Sequence, residues 1–84
     1  MMNKVLIEVK LPSAGISYDL SVPVSMQIGT MTQSIASVFA KLSNGVYMAS
    51  PESVVCEQMT GKEYDINARV CETDIRNGTK LFLF

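Results

Sequence analysis

Apolar and polar residues alternate near the start of the chain. Across residues 4–11 one face carries Val5, Ile7, Val9 and Leu11 and the other is largely polar, which predicts a half-buried strand. The same period of two returns over residues 17–22. The turn-forming residues 12–15 lie between the two segments, so together they predict a β-hairpin.

Beyond Pro23 the apolar positions recur every three or four residues, which is typical of an amphipathic helix. Ser25 is the expected N-cap, because a short polar side chain can accept bonds from the first free amides. Asn44 and Gly45 end the helix, since glycine adopts the left-handed conformation without steric cost. The stripe consists of Ile28, Met31, Ile35, Val38 or Phe39, and Leu42.

The second half of the chain contains shorter segments. Residues 54–59 predict a third strand, but the pattern does not fix its register. A turn at 60–63 precedes a short strand at 64–66, and residues 68–75 fit either a helical turn or an extended loop. The Asn77-Gly78 turn leads into residues 79–84, which are apolar on both faces and suit a central, parallel strand.

The resulting order, β-β-α-β-β-β, resembles the ubiquitin-like β-grasp fold over nearly the whole chain. The resemblance is most specific at residues 60–64 and 70–83, where Val70 and Ile75 occupy the family's apolar core positions. Residues 75–81 and a chain that stops after the last strand look most like the YukD/EsaB proteins, small cytoplasmic accessory components of type VII secretion in Gram-positive bacteria. The resemblance implies one α+β domain over residues 1–84, with a mixed sheet of four to five strands packed on one helix.

One departure from the family bears on function. The conjugated and sulfur-carrier members end in a flexible tail with a terminal Gly-Gly, whereas this sequence ends Phe82-Leu83-Phe84. The resemblance therefore implies neither conjugation nor sulfur transfer, and both remain as alternatives only if the sequence is truncated.

Composition narrows the candidate chemistry further. The sequence has no histidine, so the commonest general base is missing, and a net charge of −1 gives no bulk attraction for nucleic acid. Cys56 and Cys71 lie in apolar stretches, and we expect both to be buried, reduced thiols; the alternative is a disulfide between them. No metal or cofactor site is expected. We find neither an export signal nor an apolar run long enough to span a membrane, which predicts a soluble cytoplasmic protein without membrane insertion.

The last predicted strand carries the candidate site. If Leu81 and Leu83 face the helix, Phe82 and Phe84 face away from it, and Leu6 would lie nearby on the first strand. An exposed apolar patch of this kind indicates a protein-binding surface. The alternative is that Phe84 folds over a core edge and Phe82 is an isolated exposed ring. The candidate binding residues are Lys4, Leu6, Lys80, Phe82 and Phe84, and Lys10 and Lys62 belong to the expected polar rim.

These observations predict a non-enzymatic adaptor or regulator of a type VII secretion system. Its partner would be a protein, for example the membrane ATPase or another component of that system. Two alternatives stay open: a modifier or carrier acting through its C-terminus, and a self-associating module in which Phe82 and Phe84 pair across a weak homodimer.

Overall fold

The computed structural model describes residues 3–84. Its sheet has four strands in the order β2-β1-β4-β3, in which β1 pairs antiparallel with β2 and parallel with β4, and β3 pairs antiparallel with β4. This is the mixed sheet of a β-grasp α+β fold, as the sequence predicts. The elements are β1 (Lys4–Leu11), β2 (Ile16–Pro23), the helix α1 (Ile28–Leu42), β3 (Val55–Glu57), a short 3₁₀ helix (Val70–Glu72) and β4 (Lys80–Leu83).

The core lies between α1 and one face of the sheet. Phe39 is fully buried, whereas Val38 is 41% exposed, so Phe39 is the member of the predicted stripe that faces inward. Leu42 was also expected in the stripe, yet it is 42% exposed. The principal core residues are Val5, Ile7, Val9 and Leu11 of β1, Ile28, Met31, Ile35 and Phe39 of α1, and Leu81 and Leu83 of β4.

The start of α1 differs from the expectation that Ser25 is its N-cap. The cap position is Gln27, and its side chain makes no capping hydrogen bond. Main-chain carbonyls of the later loop serve instead: the N–H of Ile28 donates to Ala68 O at 2.8 Å, and the N–H of Gly29 donates to Ile66 O at 2.9 Å. These bonds satisfy amides that a helix leaves free at its N-terminus.

The third strand is shorter than predicted because the chain turns at Glu57. The Glu57 carboxylate accepts bonds from the N–H groups of Met59 and Thr60, and the N–H of Gly61 donates to the Glu57 carbonyl at 2.8 Å. The predicted strand at 64–66 is wrong. Within the described chain, that region contributes only an isolated bridge between Glu63 and Cys56, and the chain turns again at Asp65.

The last strand occupies the predicted central position. It runs parallel to β1, with Glu8 opposite Lys80 and Lys10 opposite Phe82. On its other side Leu83 pairs with Val55, which fixes the register that the sequence left open. Among residues 3–84, no helix is long and apolar enough to cross a membrane.

Candidate functional site: the outer face of the sheet

Phe82 and Phe84 lie on the face of the sheet that α1 does not cover. Leu81 and Leu83 are fully buried, and strand alternation therefore directs the two phenylalanines outward. Phe84 is 55% exposed and Phe82 is half-buried. Their ring centroids are 5.8 Å apart at an interplanar angle of 53°, so the rings contact each other.

Phe84 is held firmly although it follows the last residue of β4. Its N–H donates to Val54 O at 2.9 Å, and its carbonyl accepts from the N–H of Val54 at 3.0 Å. The hydroxyl of Tyr47 also donates to the Phe84 carbonyl, at 3.3 Å. The exposed ring therefore projects from a main chain that is held by Val54 and Tyr47.

Three further residues adjoin the two rings, and sequence reasoning missed two of them. Lys10 of β1 is opposite Phe82 on one side, and Cys56 of β3 is opposite Phe82 on the other. Val54 is opposite Phe84. Val54 and Cys56 could not be assigned because the register of the third strand was unknown. We call Lys10, Val54, Cys56, Phe82 and Phe84 the aromatic patch.

Leu6 and Lys4 lie away from the aromatic patch, contrary to the expectation that Leu6 would be near Phe82. Strands β1 and β4 are neighbours as predicted, but Lys10 is the residue opposite Phe82, and Leu6 comes four residues earlier. At about 3.3 Å per residue the offset along the sheet is about 13 Å. Leu6 instead lies beside the turn at Gly78, whose N–H donates to Leu6 O at 2.8 Å.

Charged residues border the aromatic patch on one side. Lys80 is exposed and lies opposite Glu8, two residues before Phe82 on the same face. On its other side Glu8 is opposite Asp19 of β2, so a row of Asp19, Glu8 and Lys80 crosses the sheet. Lys10 and Lys80 therefore supply the cationic rim. Lys62 is engaged elsewhere, in an ion pair of 2.6 Å with Asp74.

A second group of polar side chains lines an open cleft beside β3. The bonds that Glu57 accepts from the Met59 and Thr60 amides and from the Thr60 hydroxyl hold the pKa of its carboxyl below the ordinary value. The bond from Lys62 likewise lowers the pKa of Asp74. Burial, and then the charge of nearby Asp74, raises the pKa of Tyr64 to about 12. The carboxylates of Glu57 and Asp74, which line this cleft, therefore already have hydrogen-bond partners within the chain.

The two cysteines differ in exposure. Cys56 is buried, and burial followed by the charges of Glu63 and Glu57 raises the pKa of its thiol. Cys71 is exposed, so the expectation that both thiols are buried is wrong for this residue. In residues 3–84 no group of three or more histidine, cysteine, aspartate or glutamate side chains is placed to hold a metal ion.

The fold recurs in solved structures of low sequence identity. The ubiquitin-like domain of EccD5 from Mycobacterium xenopi matches 99% of this chain and 94% of its own length, with 13% identity and a TM-score of 0.79. The ubiquitin-like domain of the Mycobacterium tuberculosis type VII secretion protein ECCD1 matches 98% of both chains, with 11% identity and a TM-score of 0.72. A chain of the MycP5-free ESX-5 inner membrane complex matches 99% of this chain with 16% identity and a TM-score of 0.80.

The present chain spans only 21% of the length of that ESX-5 chain. No protein-family model matches the sequence, and no curated protein is found to be similar to it. Identities this low establish the fold alone, which is the ubiquitin-like β-grasp fold.

Proposed function

We propose that this ubiquitin-like domain is a non-catalytic adaptor or regulator of a bacterial type VII secretion system. In this proposal it acts in the cytoplasm, in the manner of the YukD/EsaB proteins that its sequence resembles. It binds a protein component of the system, such as the membrane ATPase, through the aromatic patch.

The exposed ring of Phe84 is the observation that carries the proposal. A phenylalanine that is 55% exposed leaves much of its apolar surface in water, and covering it would favour association. Phe84 is also anchored to Val54 through two main-chain bonds, so little ordering entropy is lost when a partner covers the ring. The ubiquitin-like domains of EccD5 and ECCD1 support the choice of secretion pathway.

The size and charge of the aromatic patch favour a small, transient interface. Two phenylalanines form its centre, while Lys10 and Lys80 lie at its rim and are exposed. Small interfaces with a polar rim are typical of weak or regulated association. A complementary partner would present an apolar centre with carboxylates placed near the two lysines.

Substituting Phe84→Asp tests the proposal. We expect the variant to stay folded, to lose binding to the purified cytoplasmic part of the secretion ATPase encoded in the same genome, and to fail to restore export in a deletion strain. Met59→Asp is the matched control, because Met59 is 91% exposed and lies outside the aromatic patch. It should bind and complement like the unmodified chain.

Two results would contradict the proposal. One is a folded Phe84→Asp variant that binds the ATPase and restores export as well as Met59→Asp does. The other is complete export in the deletion strain itself. Intact-mass analysis of the cellular protein and sedimentation of the purified chain would in turn reveal a covalent modifier or a homodimer.

A further inference from the structure

Two asparagine–glycine pairs occur in the sequence, Asn44-Gly45 and Asn77-Gly78. In such a pair the glycine nitrogen can attack the asparagine side chain, because glycine has no side chain to hinder the approach. A bond from this nitrogen to Cγ forms, the bond from Cγ to the side-chain nitrogen breaks, and ammonia leaves with the glycine N–H proton. Water then opens the cyclic imide to aspartate or isoaspartate, so the reaction consumes one water and releases one ammonia.

The two pairs are alike in exposure and in glycine conformation. All four residues are exposed to solvent. The φ angle of Gly45 is 84° and that of Gly78 is 89°. Access of water therefore does not distinguish the two pairs, and the hydrogen bonds around each of them decide how readily it reacts.

The Asn77-Gly78 turn is bonded to β1 through both reacting groups. Asn77 Oδ1 accepts the N–H of Leu6 at 2.8 Å, and the N–H of Gly78 donates to Leu6 O at 2.8 Å. The next contact follows directly, because the N–H of Glu8 donates to Thr79 O at 2.9 Å. Reaction at Asn77 requires this turn to separate from β1, a central strand of the sheet.

Asn44 is held less firmly at the end of α1. Its side chain makes no hydrogen bond within residues 3–84. The N–H of Gly45 donates to Ala40 O at 3.2 Å, and that of Asn44 donates to Lys41 O at 3.2 Å. Asn44 also has a φ of 54°, a left-handed conformation that is uncommon for a residue with a side chain. Helix ends fray while the core stays folded, and such fraying frees the nitrogen of Gly45.

We propose that Asn44 is a site of spontaneous deamidation in the folded chain, whereas Asn77 reacts only when the domain unfolds. The hydrogen bonds to Leu6 are the protecting device at Asn77. This inference does not depend on the function proposed above.

The product at residue 44 disturbs the loop after α1. Aspartate and isoaspartate both place a carboxylate at the C-terminal end of the helix, where the helix dipole disfavours negative charge. The adjacent Ser43 accepts the N–H of Tyr47 through its hydroxyl at 3.0 Å, and Tyr47 in turn bonds the Phe84 carbonyl. Deamidation of Asn44 therefore loosens an anchor of the aromatic patch.

The test follows the 84-residue chain during incubation in mildly alkaline buffer, with and without denaturing urea. Peptide mapping at intervals measures aspartate and isoaspartate at each asparagine. In native buffer we expect Asn44 to convert at least about tenfold faster than Asn77. In denaturing urea the two should convert at similar rates, since glycine follows both. Asn67 is the internal control: it is exposed but precedes alanine, so in urea it should convert more slowly than either.

Urea below the unfolding midpoint separates local opening from global unfolding. Conversion of Asn77 should accelerate with the population of unfolded chain, whereas conversion of Asn44 should change little. The proposal is overturned by equal or faster conversion of Asn77 in native buffer, by an intact Asn44 after the denatured chain has converted, or by a preference for Asn44 that persists in denaturing urea.

Asn44→Asp supplies the aspartate product directly. We expect this variant to stay folded and to exchange the Tyr47 amide proton faster than the unmodified chain, because the loop after α1 is loosened. Asn67→Asp is the matched control, since it adds the same charge elsewhere on the surface and should leave this exchange unchanged. Equal exchange at Tyr47 in the two variants would overturn the proposed loosening of the loop.

Discussion

The hydroxyl of Tyr47 donates a hydrogen bond to the main-chain carbonyl of Phe84 across 3.3 Å. The same hydroxyl lies 2.6 Å from Ser53 Oγ, and both side chains are largely buried. One tyrosine thus connects the loop after α1 to the residue that carries the most exposed ring of the aromatic patch. The position of that ring is consequently linked to the integrity of the loop.

Tyr47→Phe should lower the free energy of unfolding by about 1 kcal/mol, because Ser53 and the Phe84 carbonyl lose a buried partner. We also expect faster hydrogen exchange at the Phe84 amide. Urea denaturation and exchange measured by NMR would check both effects. Tyr18→Phe is the control, since Tyr18 is 42% exposed and its hydroxyl makes no hydrogen bond within residues 3–84. Equal stability of the two variants would contradict a stabilising role for the hydrogen bonds of the Tyr47 hydroxyl.

Leu81→Ala should be severely destabilising. Leu81 of β4 is fully buried in the core, and truncating a buried leucine typically costs about 2–5 kcal/mol, a large part of a small domain's stability. Leu6→Ala provides the comparison, because Leu6 is 51% exposed and should change stability by no more than about 0.5 kcal/mol. Thermal or urea unfolding of the two variants would measure the difference, and similar losses would place Leu6 in the core.

The stability of the domain should fall as the pH rises from about 10 toward 12, because of Tyr64. Burial raises the pKa of its hydroxyl to about 12 in the folded chain. An unfolded tyrosine has a pKa of about 10, so the folded state binds this proton more tightly and the stabilisation is complete only below pH 10. Tyr64→Phe should flatten the dependence. Tyrosinate absorbance would follow the titration of Tyr64. A Tyr64 hydroxyl that ionises near pH 10 in the folded chain would contradict the prediction.

The two thiols should react at very different rates. Cys71 is exposed, whereas Cys56 is buried and has a raised pKa, which lowers the fraction of reactive thiolate. We expect iodoacetamide to modify one thiol quickly and the second only in denaturant, and Cys71→Ser should abolish the fast phase. Fast labelling of Cys56 in the native chain would show that the residues around this thiol do not protect it from iodoacetamide.

The hairpin and the helix could be predicted because each has a regular period that burial imposes, and the central last strand because it is apolar on both faces. The third strand was predicted, but its register stayed open because Glu57 interrupts the alternation, and the structure shows this carboxylate accepting bonds from the turn that ends the strand. Cys71 was wrongly expected to be buried because it follows the apolar residue Val70. In a 3₁₀ turn successive side chains point about 120° apart, so Val70 is buried while Cys71 faces solvent.

The candidate site could be predicted only in part. Alternation within one strand was enough to direct Phe82 and Phe84 outward. The neighbours of the two rings depend on the register between paired strands that lie far apart in sequence. The periodicity within each strand carries no information about that register. The turn at Gly78 bonds to Leu6, and this contact sets the register that places Lys10 beside Phe82.

The central pairing of β1 with β4 has a consequence for synthesis on the ribosome. These two strands are the first and the last along the described chain, so β1 has no parallel neighbour until residues 80–83 leave the exit tunnel. A nascent chain that has emerged only as far as β3 holds a hairpin and a helix around a vacant central position. Native closure must therefore follow translation of β4, and such late, long-range pairing is typical of slow folding.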